Sequence, residues 1–423
     1  VSNQNIGETV TVMGWVQKRR NLGSLIFIDL RDRSGILQLV FNEESVGKEG
    51  YEKAERLRSE YVIAVTGKVE KRSAAVNESL KTGDIEVIAT DIRILSEAET
   101  PPFQIEENSQ TKDEVRLKYR YLDLRRPDIQ KNLMLRSKVA YLMRDFMAKE
   151  GFLEIETPML CKSTPEGARD YLVPSRVHPG HFYALPQSPQ LYKQLLMCSG
   201  YDRYFQIAPC FRDEDARGDR SPGEFYQLDM EMAFASQEDV FSIVEQVLPP
   251  VFEKYGIYKN ASKAPFVRIP YLEAMDKYGS DKPDLRNPLR IMDVTEFFQR
   301  CTFKPFIGRT VRAIKVHAEM SKGFHEKLLS FATSLGMGGL GYLEVAEDMS
   351  YKGPIDKFIP EEMKGELAEM AGLSAGDTIF FIADKEDKAN YYAGHIRTEL
   401  GEKLNLIEKD AYRFCYVNDF PMF

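Results

Sequence analysis

The side chains best suited to chemistry concentrate in two predicted strands, 204–212 and 225–234, joined by a highly charged loop. Arg212 ends the first strand, and an arginine suits a phosphoryl group because its guanidinium is planar, bidentate and always charged. Asp229 and Glu231 lie two residues apart on the second strand, so they share one face and could bind an ammonium group or a magnesium–phosphate unit. A surface hairpin held by its own salt bridges is an equally open interpretation.

A second candidate lies at a predicted helix start, where Ser188 is the expected N-cap and a proline follows it. Gln190 and Lys193 share one helix face there, and the positive helix end would favour an anion such as a carboxylate. An exposed amphipathic helix is the alternative. In the loop 162–168, small residues, proline and glycine surround Glu166, which could close over a small ligand and contact an amine. Most loops of this kind only connect.

The first 103 residues predict a small β-barrel. Five strand-like runs with a helix after the third follow the order of an OB-type barrel, a common fold for single-stranded nucleic acid. Basic residues between 18 and 33 could hold phosphates, Phe27 could stack on a base, and Gln38 or Glu86 could read base edges. Alternation does not say which face Phe27 takes, so a solvated strand face with Phe27 in the core stays open.

These elements imply an α+β multidomain chain in which residues 1–103 form the barrel domain. Paired prolines close the barrel, and residues 104–131 predict a hinge that becomes strongly basic. Residues 132–287 carry the candidate chemistry on strands and helices. A change in composition over 288–405, which includes a glycine-rich stretch, predicts an inserted α+β module. Residues 406–423 contain a last apolar strand, for which we expect no pairing partner within the sequence.

Composition excludes some classes of protein. The 423 residues are 43% hydrophobic and 29% charged, which is typical of packed domains. With 57 basic and 65 acidic side chains the net charge is −8, which excludes a globally basic nucleic-acid coat but not a local basic patch. No apolar run reaches the roughly 20 residues that a membrane helix needs. A P-loop lysine motif and a serine-nucleophile motif are also lacking in the sequence.

Cysteine and histidine patterns predict no structural metal site. The five cysteines are scattered without a CxxC pair, which fits a reducing compartment, and we expect a cytoplasmic location. His178 and His181 form a single HxxH without a partner pair. A loop contact is the more economical interpretation of these two histidines.

Six segments together follow the pattern of one enzyme family. They are 120–125, 151–158, 187–193, 211–231, 278–286 and 336–357. In combination they resemble the bacterial-type aspartyl-tRNA synthetases, a family of class II aminoacyl-tRNA synthetases. In this resemblance 151–158 corresponds to motif 1 and 211–231 to motif 2, so 132–287 is the class II catalytic domain and 1–103 the anticodon-binding domain. The insert at 288–405 resembles the GAD domain.

The resemblance implies a two-step reaction in which aspartate and ATP, with Mg²⁺, form aspartyl-adenylate and the aspartyl group then passes to the 3′ end of tRNA(Asp). Charging of tRNA(Asn) stays open. As catalytic residues, Arg212 would hold the α-phosphate and Glu214 would contact adenine or the terminal adenosine of the tRNA. Phe225 would stack on adenine, Arg220 would reach the outer phosphates, and Glu231 would lie near the magnesium–ATP unit.

The amino acid also receives a set of implied contacts. Asp229 and Glu166 would hold the substrate ammonium, Ser188 and Gln190 would position the molecule, and Lys193 would pair with the side-chain carboxylate of aspartate. In the barrel, four residues match positions implied in anticodon reading, and they are Arg20, Phe27, Gln38 and Glu86.

Motif 1 implies a homodimer.

The sequence departs from the family in two respects. The family pattern continues past residue 423 with motif 3, so we expect a C-terminally truncated chain whose incomplete site gives little or no aspartate-dependent pyrophosphate exchange alone. The motif 2 loop is one residue longer at Gly223 than in some relatives, which bears on Arg220. Two alternatives stay open: a related synthetase for asparagine or lysine, and a non-catalytic tRNA-binding protein.

Overall fold

A computed structural model describes residues 1–164, 166–214 and 223–422. The chain divides into two compact units, residues 1–137 and residues 138–423. Within the described ranges, no helix is both long enough and apolar enough to cross a membrane.

The first unit contains five strands and the helices that follow them. Its elements are a 3₁₀ helix (Asn3–Asn5), β1 (Thr9–Asn21), β2 (Ile26–Asp32), β3 (Gly35–Phe41), α1 (Glu43–Arg56), β4 (Val62–Lys71), β5 (Ile85–Ser96), α2 (Asp113–Lys118), α3 (Arg120–Asp123) and the start of α4 (Pro127–Lys149). The five strands close into a barrel in the order β1-β2-β3-β5-β4. The pair β3 and β5 is parallel and the other pairs are antiparallel. The predicted OB-type barrel is therefore confirmed.

Alternation along β2 decides the orientation of its aromatic residue. Ile26, Ile28 and Leu30 are buried in the barrel core, whereas Phe27 and Asp29 are only partly buried. Because successive strand residues point to opposite faces, Phe27 lies on the outer face. The alternative that placed Phe27 in the core is wrong.

The segment predicted as a hinge packs within the first unit. Phe103, Ile105 and Leu122 form a small buried cluster. Asp123 is fully buried and pairs with three arginines, which are Arg116, Arg120 and Arg126. Burial would raise the pKa of Asp123, but the guanidinium groups more than offset it and hold the pKa below its usual value. The exact domain boundaries stay a prediction.

In the residues that the structure describes, the second unit contains four small sheets and one larger sheet. Its elements are β6 (Leu153–Glu154), β7 (Leu172–Pro174), β8 (Phe182–Ala184), α5 (Gln190–Cys198), β9 (Arg203–Phe211), β10 (Glu224–Met232), α6 (Gln237–Tyr255), β11 (Asn260–Ala261), β12 (Val267–Pro270), α7 (Tyr271–Tyr278), β13 (Ile291–Asp293), α8 (Thr295–Gln299), a 3₁₀ helix (Lys304–Phe306), β14 (Thr310–His317), α9 (Lys322–Ser334), β15 (Gly341–Val345), β16 (Tyr351–Lys352), a 3₁₀ helix (Asp356–Phe358), α10 (Glu361–Ala371), β17 (Asp377–Asp384), α11 (Glu386–Lys403), β18 (Ala411–Tyr412) and β19 (Cys415–Asn418).

Strands β6, β9 and β10 form the sheet that carries the candidate chemistry, in the order β10-β9-β6. On one face, Leu228, Met230 and Met232 pack against a cluster that contains Met147 and Phe205. The opposite face therefore receives the alternate residues of β10, among them Phe225, Asp229 and Glu231. The predicted strand over 152–158 is reduced to the two residues of β6.

A five-stranded sheet, in the order β13-β14-β17-β15-β16, forms the centre of the region predicted as an inserted α+β module. Buried apolar clusters cover both of its faces. The end of the chain differs from the prediction, because β19 pairs in parallel with β12 and β18 pairs with β11. The expectation that the last strand has no partner within the sequence is wrong.

Candidate functional site

The centre of the candidate site is an ionic cluster on the face of β10. Lys193, from α5, places its Nζ 3.0 Å from Oδ1 of Asp229 and 3.3 Å from Oε2 of Glu231. Asp229 is 8% exposed, and its second oxygen, Oδ2, is buried without a hydrogen-bond partner among the described residues. A buried acceptor without a partner is costly, so this oxygen marks a point where a ligand donor would be favoured.

The protonation of this cluster follows from burial and charge. Burial raises the pKa of Asp229, and the neighbouring ammonium of Lys193 offsets only part of the increase. Burial would lower the pKa of Lys193, but the carboxylates of Asp229 and Glu231 more than offset it, so the Lys193 pKa is raised. Lys193 is therefore a firmly charged cation in this site.

Residues of β9 that the sequence analysis did not select complete this face. Tyr204 and Gln206 lie opposite Glu231 and Asp229 in the strand register. Gln206 donates from Nε2 to the Tyr204 hydroxyl at 2.6 Å and to Oγ1 of Thr157 at 2.7 Å. Burial raises the pKa of the Tyr204 phenol above its usual range. Strand register was the signal that could have identified these residues.

Cys210 lies opposite Phe225 on the same pair of strands and is fully buried. Its thiol contacts the side chain of Gln227 at 3.4 Å. Burial raises its pKa to about 11, so the thiol is protonated and unreactive at neutral pH. Cys210 was not predicted as a site residue, and in the structure it is a packing residue of the β9–β10 strand pair.

Ser188 and Glu166 come together beside α5. The Ser188 hydroxyl donates to Oε2 of Glu166 at 2.7 Å. The prediction that Ser188 is the helix N-cap is wrong, because Pro189 occupies that position and no side chain caps the helix. Ser188 instead bonds to a residue 22 positions earlier, a contact that local sequence cannot indicate. Gln190 is the first residue of the helix and is partly buried.

The hairpin places its arginine against its aromatic residue. The guanidinium carbon of Arg212 lies 5.0 Å from the ring centroid of Phe225, a cation–π contact that orients the side chain. The Arg212 amide also donates to the Gly223 carbonyl at 2.8 Å. Glu214 is exposed at the start of the loop. Arg220 lies outside the described residues.

The four predicted barrel residues form one network on the outer face. Arg20 donates to Oδ1 of Asp29 at 3.0 Å and to Oε1 of Gln38 at 3.2 Å. Gln38 donates in turn to Oε2 of Glu86 at 2.9 Å. The guanidinium of Arg20 lies 5.8 Å from the Phe27 ring centroid. The structure thus brings together all four residues.

Arg72 joins this network and was missed by the sequence analysis. Its Nη2 donates to Oε1 of Gln38 at 3.0 Å. The Nε groups of Arg20 and Arg72 are both buried without a hydrogen-bond partner among the described residues. The network therefore offers two unused donors next to the partly exposed ring of Phe27. Such donors suit phosphate oxygens or base carbonyls.

No protein-built metal centre is found in the part of the chain that the structure describes. Among these residues, no three or more His, Cys, Asp or Glu side chains are grouped so that they could hold a metal ion. His178 and His181 stack edge to face with ring centroids 6.3 Å apart. The interpretation of the HxxH pair as a loop contact stays a prediction.

A separate cavity of about 390 Å³ lies in the region around β15 and β17. Its wall includes Phe306, Met337, Ile355 and Tyr392, and none of the predicted site residues lines it. It is therefore distinct from the ionic cluster at Lys193.

Two family models match the chain. Residues 112–423 match "tRNA synthetases class II (D, K and N)", and residues 10–95 match "OB-fold nucleic acid binding domain". Among curated proteins, the aspartate–tRNA ligase of Agathobacter rectalis is 60% identical over 430 aligned residues, which cover 100% of this chain and 71% of the relative. The aspartate–tRNA(Asp/Asn) ligase of Lachnoclostridium phytofermentans is 56% identical with the same coverage.

Solved structures share the fold at lower sequence identity. An asparaginyl-tRNA synthetase from Pyrococcus horikoshii, complexed with asparaginyl-adenylate, aligns with a TM-score of 0.58 at 21% identity and covers 94% of both chains. An aspartyl-tRNA synthetase from Entamoeba histolytica aligns with a TM-score of 0.54 at 19% identity, covering 93% of this chain and 87% of the other. At these identities the likeness concerns the fold.

Proposed function

The chain belongs to the class II tRNA synthetases of the D, K and N group, and we propose that its ionic cluster at Lys193 binds the aspartate of an aspartate–tRNA ligase reaction. In this reaction a carboxylate oxygen of aspartate attacks the α-phosphorus of ATP. The bond to the bridging oxygen breaks and pyrophosphate leaves. A ribose hydroxyl at the 3′ end of the tRNA then attacks the carbonyl carbon of the adenylate, and AMP leaves.

The unpartnered Oδ2 of Asp229 is the observation that supports the proposal most strongly. A substrate ammonium placed there would give this buried acceptor a charge-assisted hydrogen bond. Lys193, held as a cation beside it, would pair with the side-chain carboxylate of aspartate. The same cation would repel the side-chain ammonium of lysine, which favours an acidic substrate. Glu166, paired with Ser188, would contact the substrate ammonium from the loop side.

ATP is placed on the hairpin. Phe225 would stack on adenine, and the Arg212 guanidinium, 5.0 Å from the centroid of that ring, would hold the α-phosphate and stabilise the negative charge that develops on it. Glu214 would contact adenine or the terminal adenosine of the tRNA. Because a carboxylate is already a nucleophile, catalysis depends on positioning and charge stabilisation rather than on a general base.

Magnesium would enter with ATP. The described residues supply one suitable carboxylate beside the cluster, Glu231, which is partly exposed. This fits a magnesium ion that takes most of its oxygen ligands from phosphates and water. When bound, the ion neutralises charge on the phosphates.

The tRNA would bind through the barrel as well as through its 3′ end. We assign anticodon recognition to Arg20, Phe27, Gln38 and Glu86, because they form one network with an aromatic face and unused donors. tRNA(Asp) is the acceptor in this proposal. tRNA(Asn) is included as a second acceptor, since one of the relatives described above is named for both.

A homodimer is supported by the surface of α4. Leu133 and Tyr141 are 54% and 73% exposed, and Met147 is the single buried residue in this 23-residue helix, all of which the structure describes. Exposed apolar side chains along one element suit an interface.

The proposed function is tested by ATP–pyrophosphate exchange with the full gene product that contains this chain. Aspartate, asparagine and lysine are compared at equal concentration. Exchange that depends on aspartate supports the assignment. Exchange with asparagine or lysine instead, or tRNA binding without any exchange, would establish one of the two alternatives.

A further inference from the structure

Gln187 has a buried side chain that the proposed reaction does not use, although it directly precedes Ser188. Its residue is 1% exposed. The amide Nε2 donates to Oδ1 of Asp170 at 2.5 Å and to the Ala168 carbonyl at 2.9 Å. The amide oxygen accepts from the Ala168 N–H at 3.1 Å. The amide Nε2 also lies 3.4 Å from the Thr164 carbonyl, so the Gln187 side chain bonds mainly to residues 168 and 170 and more weakly to the loop before Glu166.

Residues 168–171 form a segment that also contacts the hairpin that carries Arg212. Arg169 and Asp213 exchange two hydrogen bonds of 2.9 Å, one from the Asp213 N–H to the Arg169 carbonyl and one from the Arg169 guanidinium to the Asp213 carbonyl. A Cβ added to Gly223 would lie 2.6 Å from the Tyr171 hydroxyl and 3.0 Å from the Arg212 carbonyl. The segment is thus enclosed between Gln187 on one side and the residues flanking Arg212 on the other.

The same segment begins two residues after Glu166, whose carboxylate accepts a hydrogen bond from the Ser188 hydroxyl. A movement of Ala168 would therefore displace Glu166 from Ser188. It would also displace Asp213, the neighbour of Arg212. The side-chain amide of Gln187 fixes Ala168 on both its N–H and its carbonyl, so it restricts movement in both directions.

We propose that Gln187 is a positioning residue for aspartate activation, which sets the place of Glu166 and of the Arg212 hairpin by clamping residues 168–171. This inference rests on the proposed function. Gln187 touches no reacting atom in this account and acts through the segment it holds. Its loss would leave Oδ1 of Asp170 and the Ala168 backbone without this partner, while Oδ2 of Asp170 keeps the Ser163 hydroxyl, and the segment would shift to regain hydrogen bonds with water.

The test compares two variants of Gln187 with a matched control in the full gene product. Gln187→Met keeps the volume and removes the hydrogen bonds. Gln187→Glu keeps the shape, and only its protonated form can donate to Asp170. Gln299→Met is the control, because the Gln299 amide also ties down a loop, through the Phe306 and Arg309 carbonyls and the Gly308 N–H, but it lies in the region predicted as the insert.

We expect Gln187→Met to raise the KM for aspartate about tenfold in pyrophosphate exchange, the loss expected for one net hydrogen bond. For Gln187→Glu, the ratio of its KM to that of the wild type should fall as the pH is lowered from 8 to 6. Gln299→Met should leave the KM unchanged. A purely structural role would reduce the amount of active protein, and hence the apparent kcat, without changing the KM.

KM values for aspartate within about twofold of wild type in both Gln187 variants would overturn the proposal. Failure of both variants to fold, with Gln299→Met folded, would also overturn it by assigning Gln187 to stability. Absence of aspartate-dependent exchange in the wild type is a different outcome, because it would refute the proposed function itself.

Discussion

The barrel network and the ionic cluster are both polar assemblies built around buried side chains, but their unused groups have opposite polarity. Around Gln38 the groups left without a partner are donors, the Nε atoms of Arg20 and Arg72. Around Lys193 the unused group is an acceptor, Oδ2 of Asp229. The unused groups in each region therefore complement its proposed ligand. The donors in the barrel would bond to acceptor oxygens of RNA, and the acceptor at Asp229 would bond to an ammonium.

The two regions also differ in how their residues are held. In the barrel, Gln38 on β3 bonds to Arg20 on β1, to Glu86 on β5 and to Arg72 just after β4, so the proposed recognition face is formed in advance. In the proposed catalytic site, Lys193 lies on a helix, Asp229 on a strand and Glu166 on a loop. The comparison predicts that barrel variants affect tRNA alone, whereas site variants affect every step that uses aspartate or ATP.

The largest effect is expected for Arg212→Ala. It removes the cation proposed to stabilise charge at the α-phosphate, and loss of such a group costs about 10²- to 10³-fold in rate. The kcat of aspartate-dependent pyrophosphate exchange measures it. Arg93→Ala, at an exposed barrel arginine, is the matched control and should exchange at the wild-type rate. A wild-type rate for Arg212→Ala would remove this residue from the mechanism.

A smaller effect, confined to the tRNA, is expected for Arg20→Ala and Arg72→Ala. Each variant loses a donor to Gln38, and we expect the KM for tRNA in aminoacylation to rise about tenfold. Pyrophosphate exchange without tRNA should stay at the wild-type rate, with Arg93→Ala again as the control. A parallel loss of exchange would contradict the separation of the two regions.

The smallest effect is expected from pH. Asp229 must be ionised to bind an ammonium, and burial raises its pKa, so protons compete with aspartate at a higher pH than they would at an exposed carboxyl. The KM for aspartate should therefore rise as the pH falls, by at most about tenfold per pH unit. The KM for tRNA, governed by arginines, should stay flat over the same range. A KM for aspartate that decreases as the pH is lowered would contradict this prediction.

Strand periodicity predicted the five strands of the barrel and the shared face of Asp229 and Glu231, and the predicted family is confirmed. Periodicity could not orient Phe27, because only closure of the barrel decides which face of β2 is buried. It could not find the partner of β19 either, since β12 lies about 150 residues earlier.

Arg212 and Lys193 were selected from residue type and position within one segment, and Phe225 entered through the family resemblance. Their roles stay predictions. The set of candidates was incomplete where contacts join distant segments. Tyr204 and Gln206 can be selected only once the strand register is known. Gln187 can be selected only once the fold of residues 168–171 shows what its buried side chain contacts.

The central claim, that Oδ2 of Asp229 accepts the substrate ammonium, is tested most directly with succinate, which is aspartate without its amino group. Binding of both ligands to the wild type and to Asp229→Asn is measured by calorimetry on the full gene product. We predict that the wild type prefers aspartate by about 10²-fold, as expected for a buried charge-assisted contact, and that Asp229→Asn loses most of this preference. An undiminished preference in Asp229→Asn would contradict the claim.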